Sequence, residues 1–221
     1  MLEDEGMYNT VIFDLDGTLL NSLDDLADSV NYVQKKYDFT VDSIDVVRQH
    51  VGNGIRKLIM RSIPDGENNE LFEQCFADFK EYYQQHCEDK TDMYPGIRDL
   101  LVELKSRGIK MAIVSNKAHP SVLKLYDTYF KEYIDMAFGE NEDAGIKKKP
   151  APDMVWHAME ELGSTKEETL YVGDSDIDKM TADNSGIDCV LCQWGFRGLE
   201  LLQKMNPKAI IATPDELLQN L

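Results

Sequence analysis

Apolar residues follow two different rhythms along this 221-residue chain. The unbroken run Thr10-Val11-Ile12-Phe13 is β-branched and aromatic, which predicts a strand buried on both faces, as in parallel sheets. Residues 22–37 have a helical rhythm instead, with Leu23, Leu26, Val30 and Val33 on one face, Ser22 as a cap and acids in the first turn. From there to Cys87 the pattern predicts helices only, over 46–51, 55–63 and 71–83, separated by the loop signals Gly-Asn-Gly and Pro-Asp-Gly-Glu-Asn-Asn. After Tyr94-Pro95-Gly96 helices and strands alternate. Helices are predicted over 97–106, 121–129, 152–162, 177–184 and 198–205, and strands over 110–115, 136–138, 169–172, 188–191 and 209–211.

Such alternation predicts an α/β fold in which helices cover both faces of a parallel sheet. The opening strand belongs to that sheet, so the helical block is an insertion after it.

Composition narrows the partners. A net charge of -18 and a pI near 4.5 exclude nucleic acid and anionic membrane, both polyanions that demand Lys and Arg. Any anionic substrate needs locally placed positive groups. No apolar stretch approaches the roughly 20 residues of a membrane span, and the start, MLEDEGMYNT, is acidic where a signal peptide is basic and then apolar. A cytoplasmic protein is expected. Cys75, Cys87, Cys189 and Cys192 form no disulfide framework, and the CxxC at Cys189 and Cys192 falls in a strand whose alternation favours core packing over metal or redox use.

Parallel strands gather their carboxyl ends on one edge, where open α/β sheets bind ligands. After the first strand come Asp14-Leu15-Asp16-Gly17-Thr18; after the second, Ser115-Asn116-Lys117. A loop after the strand at 136–138 leads to Lys147-Lys148-Lys149-Pro150, and residues 169–172 are followed by Gly173-Asp174-Ser175-Asp176-Ile177-Asp178. Two aspartates one residue apart at a strand end repel unless a cation or a shared proton relieves them. Taken singly, Asp14 and Asp16 could end a strand in a turn, Ser115 and Asp174 could cap helices, and Lys149 could belong to a solvated run. Together, the acids, a hydroxyl-amide loop and a lysine suit phosphoryl transfer. Asp14 is the candidate nucleophile and Asp16 the acid and base. Asp14 and Asp174 can hold Mg2+, while Lys149 and Ser115, with Asn116 alongside, can hold the phosphoryl oxygens.

These segments resemble the four motifs of the haloacid dehalogenase superfamily: DxDGT at 14–18, the Ser/Thr loop at Ser115, the lysine at Lys149, and GDxxxD at 173–178. The resemblance covers nearly the whole chain. It implies a Rossmann-like, doubly wound core over 1–21 and 92–221 and a small inserted helical cap over 22–91. It also implies Mg2+ bound by the Asp14 carboxylate, the Asp16 carbonyl and Asp174, with Asp178 in support, and a phosphate site that includes Thr18. Within the superfamily, DLDGTLLNSLDDLADSV, HVGNGIRKLI, SNKAHPSV, KKKPAPD and VGDSDIDKMTADNSG resemble the pattern of phosphoglycolate phosphatases, with departures at Asn21 and Ala118.

The expected partner is thus a small phosphorylated metabolite, met by a monomer or homodimer. In the segment 50–56, Asn53 and Arg56 are candidates for contacting the part of the substrate remote from phosphate; alternatively, Gly52 and Gly54 only separate two helices and Arg56 is a surface charge. Trp194-Gly195-Phe196 reads as a loop near the mouth of the site or, by preference, as packing. The rival readings are a pyrophosphatase, a nucleotidase or a sugar-phosphate mutase of the same fold, a smaller phospho-accepting receiver domain, and an inactive phosphate-binding protein.

Overall fold

A computed structural model describes residues 8–141 and 145–221, and the chain divides into two compact units. One contains the chain up to Leu19 and from Met93 onward; the other is Leu20–Asp92. The acidic residues 1–7, on which the expectation about a leader rested, lie outside the described residues.

The first unit is built on six parallel strands: β1 (Thr10–Phe13), β4 (Lys110–Ala118), β5 (Met136–Glu140), β6 (Thr169–Gly173), β7 (Asp188–Cys192) and β8 (Ala209–Ile211). Their order is β5-β4-β1-β6-β7-β8. β1 pairs with β4 from Thr10↔Lys110 to Phe13↔Ile113, and with β6 from Thr10↔Thr169 to Phe13↔Val172. A strand with neighbours on both sides and helices over the sheet has no wet face, and all four of its residues are buried. The chain first builds outward on one side of β1 and then on the other, so a crevice opens at the carboxyl end of β1.

The connecting helices are α5 (Ile97–Ser106), α6 (His119–Leu125), α7 (Asp153–Leu162), α8 (Asp176–Ser185) and α9 (Leu199–Lys204). Ile12, Ala112, Val114 and Tyr171 of the sheet share one core cluster with Met154, Val155 and Ala158 of α7, Ala182 of α8 and Leu202 of α9. This is the α/β parallel-sheet fold that the alternation predicts.

Two elements depart from the pattern. The strand predicted over 110–115 continues to Ala118, because β5 goes on pairing with it: Ser115 faces Gly139 and Ala118 faces Glu140, across a shift in register. Gly139 permits this close approach, since a Cβ there would stand 2.6 Å from both the His119 Cα and the Lys117 carbonyl oxygen. The helix predicted over 121–129 begins earlier, with Pro120 in its first turn, and ends in a π-helical turn, Tyr126–Phe130. Cys189 and Cys192 are buried free thiols, and burial raises both well above the usual thiol range.

The second unit holds α1 (Leu23–Lys36), α2 (Ile44–His50), α3 (Ile55–Ser62) and α4 (Phe72–His86), between the two-residue strands β2 (Leu20–Asn21) and β3 (Asp92–Met93). Those short strands carry no sequence period. Tyr32 of α1 stacks on Tyr82 of α4 with ring centroids 4.1 Å apart. Asp25, on the first turn of α1, is buried and accepts bonds from the Lys90 N–H (3.0 Å), the Thr91 N–H (2.8 Å) and the Thr91 hydroxyl (2.7 Å). Among the described residues no helix is long and apolar enough to cross a membrane.

Candidate active site

Asp14 follows β1 directly, its N–H donating to the Val172 carbonyl of β6 at 2.8 Å. β6 in turn delivers Asp174, and Ser175 then caps α8. The Ser175 hydroxyl accepts from the Asp178 N–H, while Asp178 Oδ2 accepts from the Ser175 hydroxyl (2.6 Å), the Ser175 N–H (3.0 Å) and the Asp174 N–H (3.2 Å). The cap therefore turns Asp178 back toward β1. Asp14, Asp174 and Asp178 are all buried and each offers an oxygen within 4.8 Å of the others.

Lys149 enters this cluster from the loop before α7. Its buried Nζ stands 2.6 Å from Asp14 Oδ1, 2.8 Å from Asp178 Oδ1 and 3.1 Å from the Tyr171 hydroxyl. Of the three carboxylates only Asp14 and Asp178 meet the ammonium, and the charges sort accordingly. Burial, reinforced by Asp178, lifts Asp14 to about 7 against the pull of Lys149. Asp174, which meets no lysine among the described residues, is raised well above the usual carboxylate range by burial and by Asp178 and Asp14. For Asp178 burial also acts upward, but Lys149 and the Ser175 and Asp174 donors outweigh it and hold the group low. Lys149 stays charged because Asp14 and Asp178 overcome its own desolvation.

A buried, oxygen-only cluster with surplus negative charge suits a hard divalent cation. The local backbone agrees with crowding at that point: Gly17 has φ +95°, and a Cβ on it would stand 2.6 Å from Asp174 Oδ2.

The remaining predicted residues of this unit lie around the cluster. Asp16 pairs with Lys117, whose Nζ is 3.0 Å from Asp16 Oδ1. Ser115 is buried and its Oγ accepts from the Lys117 N–H at 3.1 Å. The Thr18 hydroxyl is buried and without a hydrogen-bond partner among the described residues. Asn116 has a use that its sequence position does not suggest: its amide donates to the Lys149 carbonyl (3.0 Å) and accepts from the Lys149 N–H (2.7 Å). These two bonds make it a strut for the lysine.

Asn53 and Arg56 belong to the second unit. Asn53 Oδ1 accepts from Arg61 Nη2 at 2.8 Å, and Arg61 also donates to the His50 carbonyl. Arg56 reaches Glu73 at 2.6 Å and Glu67 at 3.4 Å, with its guanidinium 4.6 Å from the Phe72 ring centroid.

The profile of the haloacid dehalogenase-like hydrolases matches residues 11–192. The chain belongs to that family. Among curated relatives it is 32% identical over 211 residues to a phosphoglycolate phosphatase of Pseudomonas putida, covering 91% of this chain and 75% of the relative. To a phosphoglycolate phosphatase of Aquifex aeolicus it is 31% identical, over 95% of this chain and 94% of the relative. Among solved structures, one from Lactobacillus delbrueckii subsp. bulgaricus, provisionally named a phosphoglycolate phosphatase, superposes with a TM-score of 0.90 at 33% identity, covering 96% of this chain and 97% of that one.

For a haloacid dehalogenase-like hydrolase, three features of the site escape the motif reading. Tyr171 sends its hydroxyl to Lys149 and Asp178; a tyrosine inside a strand buried on both faces needs such a partner, which was the available signal. Lys117 adds a second buried ammonium to the site. Phe196, which reads as packing, is indeed buried, but its N–H donates to Asp174 Oδ2 at 2.6 Å. A backbone donor has no residue signature.

Proposed function

We propose that this hydrolase is a phosphatase acting on small phosphomonoesters, with 2-phosphoglycolate as the substrate, and that it works through a phosphorylated aspartate. The observation that carries the reading is the contact of Lys149 Nζ with Asp14 Oδ1 at 2.6 Å inside a buried acidic cluster. A lysine there orients the carboxylate and meets the charge of an incoming phosphoryl group. The names of the relatives support the substrate.

In the first step an Asp14 carboxylate oxygen forms a bond to phosphorus as the ester oxygen departs, and Asp16 gives that oxygen a proton. In the second, Asp16, now a carboxylate, takes a proton from the water that attacks the phosphorus; the bond to Asp14 breaks and phosphate leaves. Ser115, Thr18 and Lys149 hold phosphoryl oxygens, and Asn116 keeps Lys149 in place. Asp14, the Asp16 carbonyl and Asp174 would hold Mg2+, with Asp178 anchoring Lys149 beside them. The cation would offset phosphoryl charge and let Asp14 ionise.

In the second unit, which we assign as the cap, Asn53 and Arg56 select the substrate; Arg56 exchanges Glu73 for the substrate carboxylate. The test is phosphate release from 2-phosphoglycolate, pyrophosphate, a nucleoside monophosphate and glucose 1-phosphate, each with Mg2+ and with EDTA. A Mg2+-dependent preference for 2-phosphoglycolate is expected. Preference for another compound overturns the substrate and keeps the chemistry, and release that is indifferent to EDTA overturns the cation.

A further inference from the structure

Between β7 and α9 the chain makes a short turn that belongs to none of the four motif segments, yet it touches two of them. Trp194 Nε1 donates to the Thr18 carbonyl at 3.0 Å, and the Phe196 N–H donates to Asp174 Oδ2 at 2.6 Å. Between these two, Gly195 lies so near that a Cβ on it would overlap the Asp174 side chain and stand 2.5 Å from the Gly17 carbonyl oxygen. Gly17 crowds the same carboxylate, a Cβ on it standing 2.6 Å from Asp174 Oδ2. Asp174 thus has two glycines packed closely against it and one of its oxygens fixed by a backbone donor.

We propose that Trp194, Gly195 and Phe196 form a positioning element for a divalent cation, fixing the rotation of Asp174 and the placement of the Asp16-Gly17-Thr18 turn, and so setting cation affinity. A carboxylate held by a rigid N–H keeps its free oxygen on one bearing, and outer partners of this kind typically govern affinity by about tenfold to a hundredfold. The indole N–H acts on the other segment, the turn closed by the Thr18 N–H on the Leu15 carbonyl, which carries the Asp16 carbonyl. The inference rests on the reading that Asp14, Asp16 and Asp174 hold the cation.

The test measures binding without turnover: full-length protein is titrated with Mn2+, and free Mn2+ is followed by its EPR signal. The parent chain is compared with Gly195→Ala, Trp194→Phe and, as a control for loss of an indole elsewhere, Trp156→Phe; circular dichroism and Tm report folding. Expected are one strong site in the parent, a dissociation constant raised about tenfold or more in Gly195→Ala and severalfold in Trp194→Phe, and no change in Trp156→Phe. Trp194→Phe keeps a ring against Tyr94, 6.5 Å away between centroids, and removes only the donor, so it decides the matter if Gly195→Ala does not fold. Folded variants that bind Mn2+ as the parent does would overturn the positioning role and leave the cation reading standing. A parent that binds neither Mn2+ nor competing Mg2+ overturns the cation reading and this inference with it.

Discussion

Lys117 Nζ lies 3.0 Å from Asp16 Oδ1, with the two side chains 4% and 16% exposed. The proposed acid and base therefore works beside a shielded ammonium of its own, distinct from the one that touches Asp14. Lys117→Met removes that charge and keeps the apolar stem. Phosphate release is expected to fall about tenfold or more, through kcat more than KM. Stability should drop by about 3 kcal/mol at most, because Asp16 keeps some contact with water. Steady-state kinetics and denaturant unfolding check both; unchanged kcat would remove Lys117 from the chemistry.

Asp14→Asn keeps the shape of the nucleophile and removes its charge. Turnover should fall by roughly 10⁴-fold or more, since an amide cannot accept the phosphoryl group. The fold should persist: Lys149 retains Asp178 at 2.8 Å and the Tyr171 hydroxyl. Phosphate release and far-ultraviolet circular dichroism are the measurements, and substantial residual activity would exclude Asp14 as nucleophile.

The buried acids give a pH dependence with a definite sign. In the folded chain Asp14 is raised to about 7 from an ordinary 3.8, and Asp174 is also raised. A raised carboxyl group contributes stability that is complete below its unfolded value and is progressively lost as pH rises toward and through its folded value. With EDTA present, Tm should therefore fall between about pH 4 and about pH 8. Asp178, held low, makes the opposite contribution, confined to the acid side of 3.8. Because a cation binds the ionised acids, the rise in Tm on adding Mg2+ should be larger at about pH 8 than at about pH 6. Calorimetry at the two pH values decides, and an equal or smaller effect at the higher one refutes the coupling.

Arg56 is tied to Glu73 at 2.6 Å, so the proposed selectivity depends on an exchange of carboxylates. Arg56→Ala should raise KM for 2-phosphoglycolate by at least about tenfold while leaving p-nitrophenyl phosphate nearly untouched. Glu73→Gln should lower KM for the carboxylate substrate. Equal losses on both substrates in Arg56→Ala would count against the assignment.

The fold was largely legible because its signals are local. The apolar run at β1 predicted a strand with two dry faces, and the change of rhythm after Gly96 announced the alternating sheet. The meeting of Asp14, Asp174 and Lys149 was legible for a related reason: each follows a strand that ends on the same edge. The uses of Asn116 and of Phe196 were not, because one turns on which atoms a side chain amide meets and the other on a backbone N–H. Lys117 was hidden by the strand's continuation to Ala118, which depends on pairing with β5 through a register shift that no single segment encodes.

Asp25 binds the Lys90 and Thr91 backbone from the first turn of α1, so the beginning and end of the helical unit are stapled to each other inside it. The entropy of closing a long loop grows with the distance along the chain between its fixed ends. With its ends already joined, Leu20–Asp92 behaves toward the chain it is inserted into as a short connection does, whatever its length. A module of that kind can be lengthened, shortened or replaced in its middle at little topological cost, provided one carboxylate and two backbone donors are kept.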